Sequence, residues 1–155
     1  MKHLSDLAIF VILSVEMSKT GPIILVEDDE EDQLLIKESL DSINPENFMR
    51  IFKNGEEALA YLMQTKEQPF LIICDINMPK MDGLSFRSTI NDHDYLRKKS
   101  IPFVFFSTTA SEEAINIAYE LTVQGFFVKP STFKELTNTL LLLVKYWKEC
   151  KHPNS

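Results

Sequence analysis

The stretch Leu71-Ile72-Ile73-Cys74-Asp75-Ile76-Asn77-Met78-Pro79-Lys80-Met81-Asp82-Gly83 decides the fold. It opens as an uncharged apolar run and stops at a carboxylate. A proline then interrupts regular structure, and an Asp-Gly pair turns the chain. A strand that is apolar throughout is covered on both faces, as in parallel sheets flanked by helices. Such a strand delivers Asp75 to its C-terminal end, and in open α/β sheets that edge is where ligands bind.

Working outward, apolar runs alternate with amphipathic ones. Pro22 to Val26 reads as strand one, ending at Glu27-Asp28-Asp29. Glu30 to Ile43 carries Ile36, Leu40 and Ile43 at helical spacing, with acids in the first turn where the helix dipole favours them. Phe48 to Lys53 is a mixed run expected near a sheet edge. Asn54-Gly55 caps a short helix, Glu56 to Met63, and Asp82 caps another running to Ile90. A polar connection is expected over Asn91 to Ser100, before strand four at Pro102 to Phe106. Ser111 is expected to cap a helix facing inward with Ala114, Ile117, Ala118 and Leu121. Gly125 to Val128 reads as strand five, ending at Lys129-Pro130. Ser131 is expected to cap a last helix with the stripe Phe133, Leu136, Leu140, Leu143, Val144 and Trp147. Leu141 and Leu142 lie off that stripe: either the helix is broadly packed, or it offers a docking face together with Ile115 and Tyr119.

At 155 residues the chain is long enough for one domain with a sizeable core, and 45% hydrophobic residues is ordinary for a globular chain. The net charge of −7 argues against nucleic-acid binding by bulk electrostatics. Cys74 sits in an apolar run and Cys150 in a polar tail, with no C-x-x-C spacing. No zinc site or disulfide framework is implied, and a reducing, cytoplasmic setting is expected. The apolar run Leu7 to Leu13 is too short to span a bilayer, so no membrane role is expected. Residues 1–16 are read as an extension ahead of a core at 17–150, with 151–155 as a tail. His3, His93 and His152 all read as solvated.

The strand ends form a constellation. In a parallel sheet Glu27 and Asp28, Asp75, Ser107 to Thr109, and Lys129 share one edge. Clustered carboxylates repel and hold a proton or a cation. With oxygen ligands alone the cation is a hard one, Mg²⁺ with Mn²⁺ as the variant. Lys129 suits a phosphoryl oxygen as a point charge and Ser107 supplies a hydroxyl. A carboxylate can itself be the nucleophile in phosphoryl transfer, forming an aspartyl phosphate.

These fragments, in this order and spacing, resemble a response-regulator receiver domain of two-component signalling. The likeness runs from about Pro22 to Trp147. It rests on Ile24-Leu25-Val26-Glu27-Asp28, Cys74-Asp75-Ile76-Asn77-Met78-Pro79 with Met81-Asp82-Gly83, Phe106-Ser107-Thr108, and Phe127-Val128-Lys129-Pro130. The resemblance implies a flavodoxin-like, doubly wound (βα)5 fold: a five-stranded parallel sheet in the order 2-1-3-4-5. It implies Asp75 as phosphoacceptor, Asp28 as direct metal ligand, Glu27 acting through water, and the Asn77 backbone carbonyl completing the metal site. It further implies Lys129 on the phosphoryl group, Ser107 as switch hydroxyl and Phe126 as switch aromatic. Thr108 stands where the family usually has a smaller residue, and Phe126 where it often has Tyr.

The expected function is thus Mg²⁺-dependent acceptance of phosphate from a sensor histidine kinase or histidine phosphotransfer protein docking near the first helix. The outcome is a switched protein-interaction surface, with a homodimer through the helix after strand four, strand five and the last helix as one form. The chain would act on its own phosphate only and not as an enzyme on others. A phosphatase or mutase with an Asp nucleophile would want a second Asp two residues on, where Asn77 stands. A docking module that never turns over phosphate is the remaining alternative.

Overall fold

The computed structural model describes residues 19–152. Five strands lie in one parallel sheet in the order β2-β1-β3-β4-β5, the order that the resemblance implies. They are β1 Ile23–Val26, β2 Met49–Phe52, β3 Leu71–Cys74, β4 Phe103–Ser107 and β5 Gly125–Val128. Six helices are present among the described residues: α1 Glu30–Ile43, α2 Gly55–Gln64, α3 Gly83–Asp92, α4 Asp94–Lys99, α5 Glu112–Glu120 and α6 Phe133–Glu149.

The central strands β1, β3 and β4 are buried at every position, which is why they carry no alternation of polar residues. Successive side chains point to opposite faces, so each strand feeds two cores. Ile24, Val26, Ile72, Cys74, Phe103 and Phe105 pack with Ala58, Leu62, Phe86, Ile90, Leu96 and Ala118 from α2 to α5. Ile23, Leu25, Leu71, Ile73, Val104 and Phe106 pack with Ile36 and Leu40 of α1 and with Leu136, Leu140, Leu143 and Val144 of α6. Each fully buried aliphatic side chain contributes roughly 1.5–3 kcal/mol. Half-buried β2 lies at one edge, as its mixed composition predicts, and β5 at the other.

Caps mark the helix starts. Asp29, Asn54, Asp82 and Ser111 each accept a hydrogen bond from the backbone amide three residues on. The expected cap of α6 is corrected: Thr132, not Ser131, accepts from the Glu135 amide, because the helix begins at Phe133 and only the residue just before it reaches that amide. Phe133, expected inward, is 48% exposed, since this first residue of α6 lies beyond the core. The expected polar connection holds the short helix α4. Its six residues bury one apolar side chain, Leu96, too few to show a period. Basic residues in its last turn complement the dipole. His152, expected to be solvated, is 8% exposed, its ring 5.2 Å from that of Phe70 and its Nε2 2.9 Å from the Trp147 carbonyl oxygen. His93 is exposed as expected, and His3 and residues 1–16 lie outside the described residues.

Candidate functional site

The register of the sheet assembles the site. Val26 pairs with Cys74, so Glu27 and Asp75 follow side by side. The ladder continues past the strands: the amides of Asp75, Glu27 and Lys129 donate to the carbonyls of Val26, Phe52 and Ser107 at 2.9, 2.9 and 3.0 Å. The backbones that carry the charged side chains are therefore as fixed as the sheet itself.

Asp75 is 8% exposed. Its Oδ1 accepts from the Ile76 amide at 2.7 Å and its Oδ2 from Lys129 Nζ at 3.3 Å. The same ammonium donates to Glu27 Oε2 at 2.7 Å and to Asp32 Oδ2 at 2.8 Å. Glu27 is 1% exposed; its Oε1 accepts from the Asp29 amide at 3.1 Å. Asp28 is exposed, yet the carboxylate oxygens of Glu27, Asp28 and Asp75 lie within 4.8 Å of one another, a set able to hold a metal ion.

The electrostatics follow from this crowding. Burial pushes the Glu27 carboxyl up from 4.5 to about 7; Asp75's charge adds to the push, and Lys129 and the Asp29 amide only partly offset it. For Lys129, burial works against the charged form but is outweighed by Asp32, Glu27 and Asp75, so its pKa rises and it stays an ammonium. Cys74 contributes no thiolate, since burial holds its pKa well above the ordinary value. The donor set at this edge is oxygen alone and carries surplus negative charge, which fits a hard divalent cation.

Ser107 is fully buried at the end of β4, and its Oγ accepts from the Thr109 amide at 3.2 Å. Asn77 is exposed; its Nδ2 donates to Thr109 Oγ1 at 3.0 Å, tying the loop after β3 to the loop after β4. Thr108 lies exposed between Ser107 and Thr109. Phe126 is half-buried, its ring 6.0 Å from that of Phe105. The sheet edge thus gathers Glu27, Asp28, Asp75 and Lys129, while Ser107 and Asn77 are engaged with the neighbouring loop. Asp32, one of the first-turn acids of α1, joins the site as a third carboxylate partner of Lys129. Local pattern carries no signal for this role, because Asp32 sits in the first turn of α1, where an acid is already accounted for by the helix dipole, and its partner Lys129 lies on a distant strand end.

The loop after β3 is held tightly. Lys80 has a φ of 64°, a left-handed conformation costly for a residue with a Cβ. A Cβ on Gly83 would stand 2.1 Å from the Asp75 carbonyl oxygen, while the Gly83 amide donates to the Ile76 carbonyl at 2.8 Å. Glycine here permits a close approach that fixes where Asp75 sits.

Residues 23–141 match the family described as Response regulator receiver domain. The response regulator Rcp1 of Synechocystis sp. is 30% identical over 88% of this chain and 95% of its own length. The probable methanogenesis regulatory protein FilR2 of Methanothrix harundinacea is 29% identical over 81% of this chain and 82% of its own. Among solved structures, the phosphorylated cyanobacterial phytochrome response regulator RcpA superposes with a TM-score of 0.78 at 30% identity, covering 87% of this chain and 99% of that one. The Mn²⁺-bound form of response regulator Rcp1 gives 0.74 at 28% identity, over 87% and 99%. The chain belongs to the response regulator receiver family of two-component signalling. No described helix is long and apolar enough to cross a membrane.

Proposed function

We propose that this receiver takes a phosphoryl group from a phosphohistidine partner onto Asp75. The observation that carries the reading is the Asp75 carboxylate, nearly buried, 3.3 Å from Lys129 Nζ and beside Glu27 and Asp28 on one sheet edge. Asp28, Asp75 and the Asn77 carbonyl would hold Mg²⁺ or Mn²⁺, with Glu27 acting through water. Bound there, the cation would offset the carboxylates and the incoming phosphoryl oxygens.

The chain's own residues supply the rest. Ile76's amide orients the Asp75 carboxylate. A carboxylate oxygen attacks phosphorus, the N–P bond of phosphohistidine breaks, and the imidazole leaves with the bonding pair, giving an aspartyl phosphate. Lys129 exchanges carboxylate partners for a phosphoryl oxygen. Ser107 Oγ leaves the Thr109 amide for another, and Phe126 repacks beside Phe105. This biases an equilibrium between two arrangements of the far surface. The chemistry stays on this chain's own aspartate.

Two exposed faces support the partner reading. On α1, Leu34 and Leu35 are 57% and 41% exposed next to the acidic edge, a docking face for a histidine kinase or phosphotransfer protein. On α5, β5 and α6, Tyr119, Val128, Leu142 and Tyr146 are all more than half exposed, an apolar face suited to a second copy.

Mass spectrometry after acetyl phosphate and Mg²⁺ treatment tests the reading. One acid-labile phosphoryl adduct is expected, lost with EDTA and lost in Asp75→Asn. An adduct that persists in Asp75→Asn overturns the assignment. No adduct under any condition replaces it with a docking module that does not turn over phosphate.

A further inference from the structure

At the opposite, N-terminal edge of the sheet, a cavity of about 320 Å³ opens between α3, α4 and the start of β4. Its walls include Leu62, Ile72, Ile90, Leu96, Ile101 and Pro102. That size falls within the range of small-molecule sites, roughly 300–1,000 Å³, and an apolar lining with a few polar groups is their usual make-up.

The polar part of the wall is unusual for this chain. In a protein with 23 acidic and 16 basic residues, the lining holds two arginines, Arg87 and Arg97, and no carboxylate. Arg97 is exposed and paired with Asp94 at 2.7 Å. Arg87 is 8% exposed and makes no ion pair among the described residues. Its Nε donates to the Leu121 carbonyl at 3.1 Å, and its Nη2 to the Thr122 carbonyl at 3.1 Å and to Thr122 Oγ1 at 3.4 Å. The guanidinium also stacks 5.1 Å from the Phe103 ring. These contacts satisfy one edge of the fork and leave Nη1, which is accessible and not a buried orphan, free for a ligand in the cavity. They do not neutralise the charge. Burial lowers the Arg87 pKa with no carboxylate acting the other way, and a buried charge without a counter-ion is costly unless something else completes it.

Two helix ends form part of the wall. Three non-glycine residues have positive φ among the described residues: Lys80 in the loop after Asp75, and Ser100 and Thr122, which both line this cavity. Both close a helix in the left-handed conformation, Ser100 after α4 and Thr122 after α5, and the turn at Thr122 presents the Leu121 and Thr122 carbonyls to Arg87.

We infer that this cavity binds a small organic carboxylate with an apolar body, its head on Arg87 and its body against Leu62, Ile72, Ile90 and Leu96. The site is independent of the acidic edge, which lies at the other end of the strands and would repel the same ligand.

Octanoate is the probe, titrated into the full chain by calorimetry and by the fluorescence of Trp147, the single tryptophan, which also lines the cavity. Saturable binding below about 1 mM is expected, with octanol, the same body without the charge, at least about tenfold weaker. Arg87→Met, which keeps most of the bulk, should weaken octanoate at least about tenfold. Asp75→Asn should bind it as the parent does. Absence of saturation, equal binding of octanol, unchanged affinity in Arg87→Met, or loss in Asp75→Asn would each overturn the proposal. If Arg87→Met does not fold, Ile101→Phe, which adds bulk to the cavity wall and leaves the arginine unchanged, takes its place by calorimetry, with the same loss expected and unchanged affinity overturning.

Discussion

Lys129 holds together groups that would otherwise repel. Its ammonium touches Glu27, Asp32 and Asp75, and of these Glu27 is sealed from water. Removing one partner of a buried pair strands the other, so Lys129→Met should destabilise the metal-free chain by about 3 kcal/mol. That lies at the low end for such changes because Glu27, already held up to about 7, can take a proton. Urea unfolding with EDTA at neutral pH checks this. Asp32 has a side chain 36% exposed, and solvent screens its pair, so Asp32→Ala should cost less than about 1 kcal/mol. Thr108 stands exposed next to Ser107; if Asp75 is phosphorylated as proposed, a branched side chain at this position would narrow the approach of water to the phosphoryl group. Thr108→Ala is expected to shorten the lifetime of the aspartyl phosphate several-fold, about 1 kcal/mol in the barrier, read from the decay of the phosphorylated mass. A lifetime that is unchanged or longer would remove Thr108 from the site.

At the scale of an element, caps and close approaches decide where helices start and loops lie. Thr132 accepts from the Glu135 amide and Ser131 does not. Thr132→Ala should therefore cost about 1 kcal/mol, and Ser131→Ala less than about 0.5 kcal/mol. A thermal-melt comparison of the two variants separates them, and equal shifts would put the cap elsewhere. The loop after β3 has no slack at Gly83, because a methyl there would enter the space of the Asp75 carbonyl, a backbone atom that cannot swing away. Gly83→Ala should displace Asp75 as well as destabilise the chain, so loss of phosphoryl uptake should exceed what the remaining folded fraction explains.

Across the whole molecule, two faces of one sheet are packed unequally. α2 to α5 cover one side, whereas α1 and α6 cover the other. Among the described residues no further strand pairs with β2 or β5, and beside β5 lies the apolar face of Tyr119, Val128, Leu142 and Tyr146. Light scattering with and without beryllofluoride, a mimic of the phosphoryl group, should show phosphorylation-dependent pairing. Leu142→Arg should abolish that pairing while leaving phosphoryl uptake intact. A monomer under both conditions would assign the face to another partner. At the N-terminal side, the first described anchor is the Lys19 carbonyl, which accepts from Asn47 Nδ2 at 2.9 Å and Lys148 Nζ at 2.6 Å. A chain starting at Met17 is expected to keep its phosphoryl uptake and its melting midpoint. A clear loss of either would make residues 1–16 part of the core.

Most of the fold was legible because its signals are local. Apolar runs of strand length, capping side chains and helical spacing are set by neighbours within a turn or two. From them follow five parallel strands, the three central ones buried throughout, and a shared edge carrying Glu27, Asp28, Asp75, Ser107 and Lys129. Short or weakly patterned pieces escaped. α4 buries a single apolar residue, Phe133 lies just past the end of the core, and His152 is polar in sequence yet stacked on Phe70 in space. What the sequence alone determined was the strand order's consequence, namely which side chains meet at the C-terminal edge, because parallel strands must end together. What only the tertiary structure decided was how those groups pair. Asp32 reaches Lys129 across 97 residues, Gly83 presses against Asp75, and Arg87 is buried without a carboxylate at the far edge. Such pairings depend on distances between elements, which packing sets and local pattern does not carry.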